Sequence, residues 1–161
     1  MIDVFFSSLF LNIKKIFFYI FKKKNLNHKK ITLLEANGIQ PYRPLMYDWA
    51  YEASSHGFNA ISTISANLPG LLVGTSPDAT VVCIRTEEIG SELRIEEDNW
   101  IAGAEYADSL GVDVINSSLG YTSFDKKKMT YSTQDMDGNT ARISIGADIA
   151  AKKGILVVNS A

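Results

Sequence analysis

Cysteine is nearly absent from this chain: Cys83 is the only one in 161 residues, which excludes an internal disulfide and a cysteine-built metal centre. It sits in the apolar run Val81-Val82-Cys83-Ile84 and reads as a small buried hydrophobe. A membrane span takes about 20 uninterrupted apolar residues, and Lys14-Lys15 splits the amino-terminal apolar run. A secretory signal would place charge before that run and small residues after it, and neither order is met. No glycine-rich phosphate loop follows the first predicted strand, which argues against a nucleotide-binding domain, and there is no internal repeat.

What is present is an ordinary globular composition, 46% hydrophobic and 21% charged, with a length that suits one domain. The net charge of -2 conceals an asymmetry: residues 1–30 carry net +6 and the remainder net -8. The acidic body is therefore a poor partner for nucleic acid. Residues 1–30 also hold six of the eight phenylalanines, followed by Lys22-Lys23-Lys24. Such a segment is a basic surface helix lying on a membrane, a degraded export signal, or sequence outside the fold. Its bias toward Phe, Lys, Ile and Asn is what AT-rich DNA encodes without selection, so residues 1–30 are expected outside the fold, with membrane contact the lesser reading.

Along the body, Ile31-Thr32-Leu33-Leu34 predicts a buried strand stopped by Ala36-Asn37-Gly38. Glu35 then stands at the carboxyl end of a strand, where open parallel sheets keep their working groups. Residues 39–55 show no period and read as a loop. The stretch from Ser54 to Asn67 reads as a short loop delivering His56 onto the first turn of a helix, with Phe58, Ala60, Ile61 and Ile64 near helical spacing. An imidazole with an ordinary pKa near about 6.5, fixed at a helix start, suits proton transfer, although a lone histidine there also serves as a plain surface or capping residue. Pro69-Gly70 breaks the chain, and Ser76-Pro77-Asp78 marks a turn. A strand over 80–85, a helix from Glu96 stopped by Gly111, a strand over 112–117, a polar excursion over 121–139, a helix over 140–153 ended by Gly154 and a strand over 155–158 follow. Strands alternating with helices imply parallel pairing, so the expected fold is α/β, an open doubly wound parallel sheet with helices on both faces.

Three features coincide in order: a strand ending in an acid, His56-Gly57 opening a helix, and Asp113-Val114-Ile115-Asn116-Ser117-Ser118-Leu119-Gly120. Together they resemble the amino-terminal half of a subtilisin-like serine peptidase, over about residues 31–161. The likeness extends to Gly74-Thr75-Ser76-Pro77-Asp78-Ala79 and to Gly154-Ile155-Leu156-Val157-Val158-Asn159-Ser160-Ala161. It implies a partial peptidase domain over 31–161 with His56 as general base of a triad, a peptide or protein substrate, and a secreted or cell-envelope location. It also implies that Ser118, Leu119 and Gly120 form an extended edge that pairs main chain to main chain with the substrate. No cofactor is implied. The Asp135-Met136-Asp137-Gly138-Asn139 run lacks the distal acid of a calcium loop and reads as a solvated turn.

The sequence also departs from that family. Phe58 stands where the family places threonine after His-Gly, and Glu35 is the nearest match to the triad aspartate, with Asp48 the other candidate. Gly74-Thr75-Ser76 is followed by Pro77 and a strand, so Ser76 is rejected as nucleophile. The 161 residues include neither the serine-bearing helix nor the asparagine that donates to the oxyanion, and they are expected to be inert alone, with sheet faces left uncovered. A non-catalytic pseudo-peptidase that binds peptides along its cleft edge is the alternative.

Overall fold

The computed structural model describes residues 18–22, 31–35, 40–41, 55–87 and 90–160. Eight strands and three α-helices lie among them: β1 (Phe18–Lys22), β2 (Ile31–Glu35), β3 (Gln40–Pro41), α1 (Ser55–Ser65), β4 (Asn67–Leu68), β5 (Leu72–Val73), β6 (Thr80–Arg85), α2 (Ile95–Leu110), β7 (Val114–Ser117), α3 (Arg142–Lys152) and β8 (Leu156–Asn159). Six strands make one sheet in the order β3-β2-β6-β1-β7-β8, and β4 pairs with β5 in a separate hairpin.

β6 is apolar at nearly every position because it is covered on both sides. Val81 and Cys83 pack with Ile61 of α1, whereas Ile84 belongs to the cluster of Trp100, Ala104, Ala107 and Ile115, with Val82 packed against it. The period of two in the strand thus sends alternate residues to opposite helical layers. α1 covers one face, and α2 and α3 cover the other. Burial pushes the Cys83 thiol up to about 12, so it stays protonated and acts as a hydrophobe.

β2 and β6 pair in parallel, as do β7 and β8, in line with strands joined by helical crossovers. The sheet as a whole is mixed, which corrects the expectation of an all-parallel one. β1 runs antiparallel between β6 and β7, with Ile20 opposite both Val82 and Ile115. The same strand corrects the expectation that residues 1–30 stand outside the fold, because Phe18–Lys22 lies inside the sheet. Its Phe-Tyr-Ile-Phe core has strong β-propensity, and it supplies the ladder partners that β6 and β7 would otherwise lack. Three further strands fall where the sequence suggests only loop or chain break: Gln40–Pro41 adds to β2, and Asn67–Leu68 closes on Leu72–Val73 around Gly70 at φ 85°.

α2 begins with Glu96, Glu97 and Asp98, acids that the positive end of the helix dipole favours, and ends at Gly111 in the left-handed region at φ 64°. α3 lies close against it because small residues face each other: Gly103, Ala104 and Ala107 on α2, Gly146 and Ala150 on α3, all buried. At the sheet edge, Leu156 and Val158 of β8 stay 61% and 43% exposed, on the side away from Val157, which packs into the α2–α3 core. Among the described residues no helix is long and apolar enough to cross a membrane.

Two glycines carry the tight approaches, with different outcomes expected for alanine. At Gly74 a Cβ would sit 2.4 Å from the Ile64 carbonyl carbon and oxygen, which are backbone and cannot step aside. At Gly146 it would meet Ile101 Cγ1 at 2.7 Å, a side chain that can shift, while the helix gains from alanine. Gly74→Ala is therefore expected to lower stability by about 1–3 kcal/mol and Gly146→Ala by distinctly less, as read from urea unfolding midpoints. The reverse order would contradict this packing.

Candidate active site

The carboxyl ends of β2, β6, β7 and β8 line up on one side of the sheet, beside the amino end of the antiparallel β1. Leu34, Ile84, Phe18, Ser117 and Asn159 share a row across five strands, and Glu35 and Ser118 stand one residue beyond it. β6 and β1 lie between β2 and β7, so Glu35 and Ser118 are separated by three strand spacings, about 14 Å. They share a sheet end without being neighbours. His56 is the second residue of α1, on the layer that covers Val81 and Cys83, and Gly57 beside it is buried. Asp48 lies outside the described residues, and of Glu35, His56 and Phe58 only the backbone is described.

Burial alternates along an extended run: Ile115, Ser117, Leu119 and Tyr121 are buried, whereas Val114, Asn116 and Ser118 are half-buried and Gly120 is exposed. Ser117 Oγ accepts a hydrogen bond from Trp100 Nε1 at 3.0 Å, and its carbonyl accepts one from the Ser160 amide at 3.0 Å. Asn116 Nδ2 donates to Ser118 Oγ at 3.0 Å. A Cβ added at Gly120 would meet nothing within 4 Å among the described residues, and its φ is not in the left-handed region. Neither internal packing nor backbone conformation requires glycine there. What it leaves is an open approach to the main chain.

The excursion after Gly120 is not the plain polar loop its composition suggests. Tyr121 stacks on Phe124 at 6.0 Å, Phe124 meets Tyr131 edge-on at 5.7 Å, and the Arg94 guanidinium lies 4.2 Å over the Tyr131 ring. Glu97 ties this loop to both helices: its carboxylate accepts from the Tyr131 hydroxyl at 2.8 Å and from the Ile143 amide at 3.3 Å, at the start of α3. Arg142 adds a charge-assisted pair with Asp98 at 2.6 Å. Asp137 accepts from the Asn139 and Thr140 amides, both at 2.8 Å, and from the Thr140 hydroxyl. These bonds hold its carboxyl below the usual range and make the run from Asp135 to Asn139 a hydrogen-bonded turn.

A second acidic group went unseen in the sequence because its members come from the end of β6, the following loop and α2. Glu87, Glu92 and Glu96 each bring a carboxylate oxygen within 4.8 Å of the others, Glu87 and Glu96 being buried. Oxygen ligands of this kind suit a hard cation. No signal short of the tertiary arrangement would have joined them.

The described residues define a mixed α/β protein in which the run that follows β7 ends at an exposed Gly120. The chain belongs to the Subtilase family, whose model matches residues 39–161. It is 37% identical over 98 residues to the minor extracellular protease Vpr of Bacillus subtilis (strain 168), a match covering 61% of this chain and 12% of that protein's length. No solved structure matches the chain.

Two measurements test the site's polar packing. Burial, and then the hydrogen bond to Glu97, raises the Tyr131 pKa above its ordinary 10. An acid whose folded pKa is raised stabilises fully below its unfolded pKa and loses that contribution as pH rises through the folded value. Stability is therefore expected to fall above pH ~10, and Tyr131→Phe to remove that component of the alkaline limb in thermal melts. The Tyr121 hydroxyl is buried with no partner among the described residues, so Tyr121→Phe is expected to leave stability unchanged or raise it by up to about 1–3 kcal/mol in urea titrations. A loss would show that the hydroxyl is satisfied in solution.

Proposed function

We propose that residues 31–161 are the histidine-bearing, peptide-pairing part of a subtilisin-like serine endopeptidase domain, built on an open doubly wound sheet. In this reading His56 is the general base, taking the proton from an attacking serine hydroxyl and returning it to the leaving amine. Glu35, or Asp48, holds the imidazole in the right tautomer. Ser118, Leu119 and Gly120 pair with an extended peptide, Gly120 leaving room for the substrate main chain. The single observation that supports this most is the empty space around Gly120 at the end of an otherwise anchored strand.

No serine in the chain stands in the family's nucleophile motif, so on this reading the 161-residue chain binds peptide without cleaving it. Phe58, in the position of a small hydroxyl residue, favours the second reading, a pseudo-peptidase that keeps the peptide-pairing edge and has lost the chemistry. Substrates are peptides or proteins in both. The word extracellular in the name of the Bacillus relative supports a secreted or cell-envelope setting.

The edge is tested by fluorescence polarisation of a labelled extended apolar peptide with the full chain, alongside a chromogenic peptide amide. Binding without hydrolysis is expected, and Gly120→Ala should weaken binding about tenfold or more while the unfolding midpoint stays put. Equal binding by the two proteins would remove Ser118–Gly120 from the site.

A further inference from the structure

Strand β7 is held at one buried point just before the edge begins. Trp100, 1% exposed and half-way along the core-facing side of α2, points its indole N–H at Ser117 Oγ, also in a 1% exposed residue. A serine hydroxyl in the middle of an apolar layer contributes little packing. Its neighbours Ile115 and Leu119 on the same side are both hydrophobic core, so the polar atom at 117 is the exception in the row. The bond joins the helix to the last strand residue, and Ser118 follows directly.

We propose that Trp100 is a positioning residue for peptide binding: acting through Ser117 Oγ, its indole N–H fixes the rotation and register of the Ser118–Gly120 edge. The inference rests on the reading of that edge as the peptide-pairing strand. Two adjacent anchors leave the edge little freedom elsewhere. The Ser117 carbonyl is taken by the amide of Ser160, the residue just after β8, and Leu119 is buried in the core. With the Trp100 bond in place, residues 117 and 119 are both pinned inward, which turns the alternate positions, half-buried Ser118 and exposed Gly120, to the opposite side. Without it the run beyond Ser117, where the ladder with β1 ends, loses one of its anchors. Preorganisation of this kind lowers the ordering cost of binding without adding a contact to the ligand.

The test compares Trp100→Phe, which keeps a ring and removes the donor, with Ser117→Thr and Ser117→Val, which add the same bulk and differ only in the hydroxyl. Each is made in the full chain. Peptide affinity is read by polarisation and edge order by amide hydrogen exchange of Leu119 and Gly120. Trp100→Phe and Ser117→Val are expected to weaken binding roughly five- to tenfold, the worth of one hydrogen bond, and to speed exchange at Leu119 and Gly120 while the amides of α3 keep their rates. Ser117→Thr should match the unaltered chain in both readouts. Exchange that quickens throughout the molecule, or a threonine variant as impaired as the valine one, would reduce the bond to general packing and overturn the inference. An unaltered chain that binds no peptide would sink the edge reading instead, and exchange at Leu119 and Gly120 would still decide whether the indole orders the strand.

Discussion

The structure depends on strand β6 having no side that faces water. Each pair of successive residues must satisfy two different helical layers, Val81 and Cys83 against α1, Val82 and Ile84 against α2 and α3. A one-residue slip would exchange the two sets and place each against the wrong partner, so the register of the whole sheet is set there. The parallel pairing of β2 with β6, and the common side on which the carboxyl ends of β2, β6 and β7 emerge, accord with that constraint. The edge at residues 118–120 is where it is because β7 is aligned, through β1, with β6.

The second layer of control is polar and buried. Glu97 joins α2, the start of α3 and the excursion through two hydrogen bonds, while Arg94 covers the Tyr131 ring from outside. A buried carboxylate is tolerated there because donors meet it and because it sits at the positive end of a helix. The loop that follows Gly120 is thereby fastened to the same helix that carries Trp100. One element, α2, thus orders both the end of β7 and the loop beyond it.

Much of the body was legible from residues alone. The β6 boundaries come directly from Thr80-Val81-Val82-Cys83-Ile84-Arg85, and the end of α2 from Gly111, because runs of β-branched residues and a left-handed glycine are local signals. The excursion over 121–139 was misjudged as polar because its three buried aromatics are spread among lysines and serines with no period. β1 was missed for a related reason: Phe18–Lys22 has the composition of the flanking segment, and only the gap between β6 and β7 reveals it as a strand.

Sequence by itself determined the chemistry available here: a histidine at a helix start, a glycine ending a strand, one inert cysteine and a family signature running from His56 to the last residues. These are set by side-chain type and short spacing, which need no knowledge of the rest of the chain. Only the tertiary structure decided which strands are neighbours, that Glu35 stands three strand spacings from the edge and that Trp100 reaches Ser117. Those facts depend on long-range pairing. Backbone hydrogen bonds and packing choose among many arrangements of the same local elements, and nothing within a short window of residues records the choice.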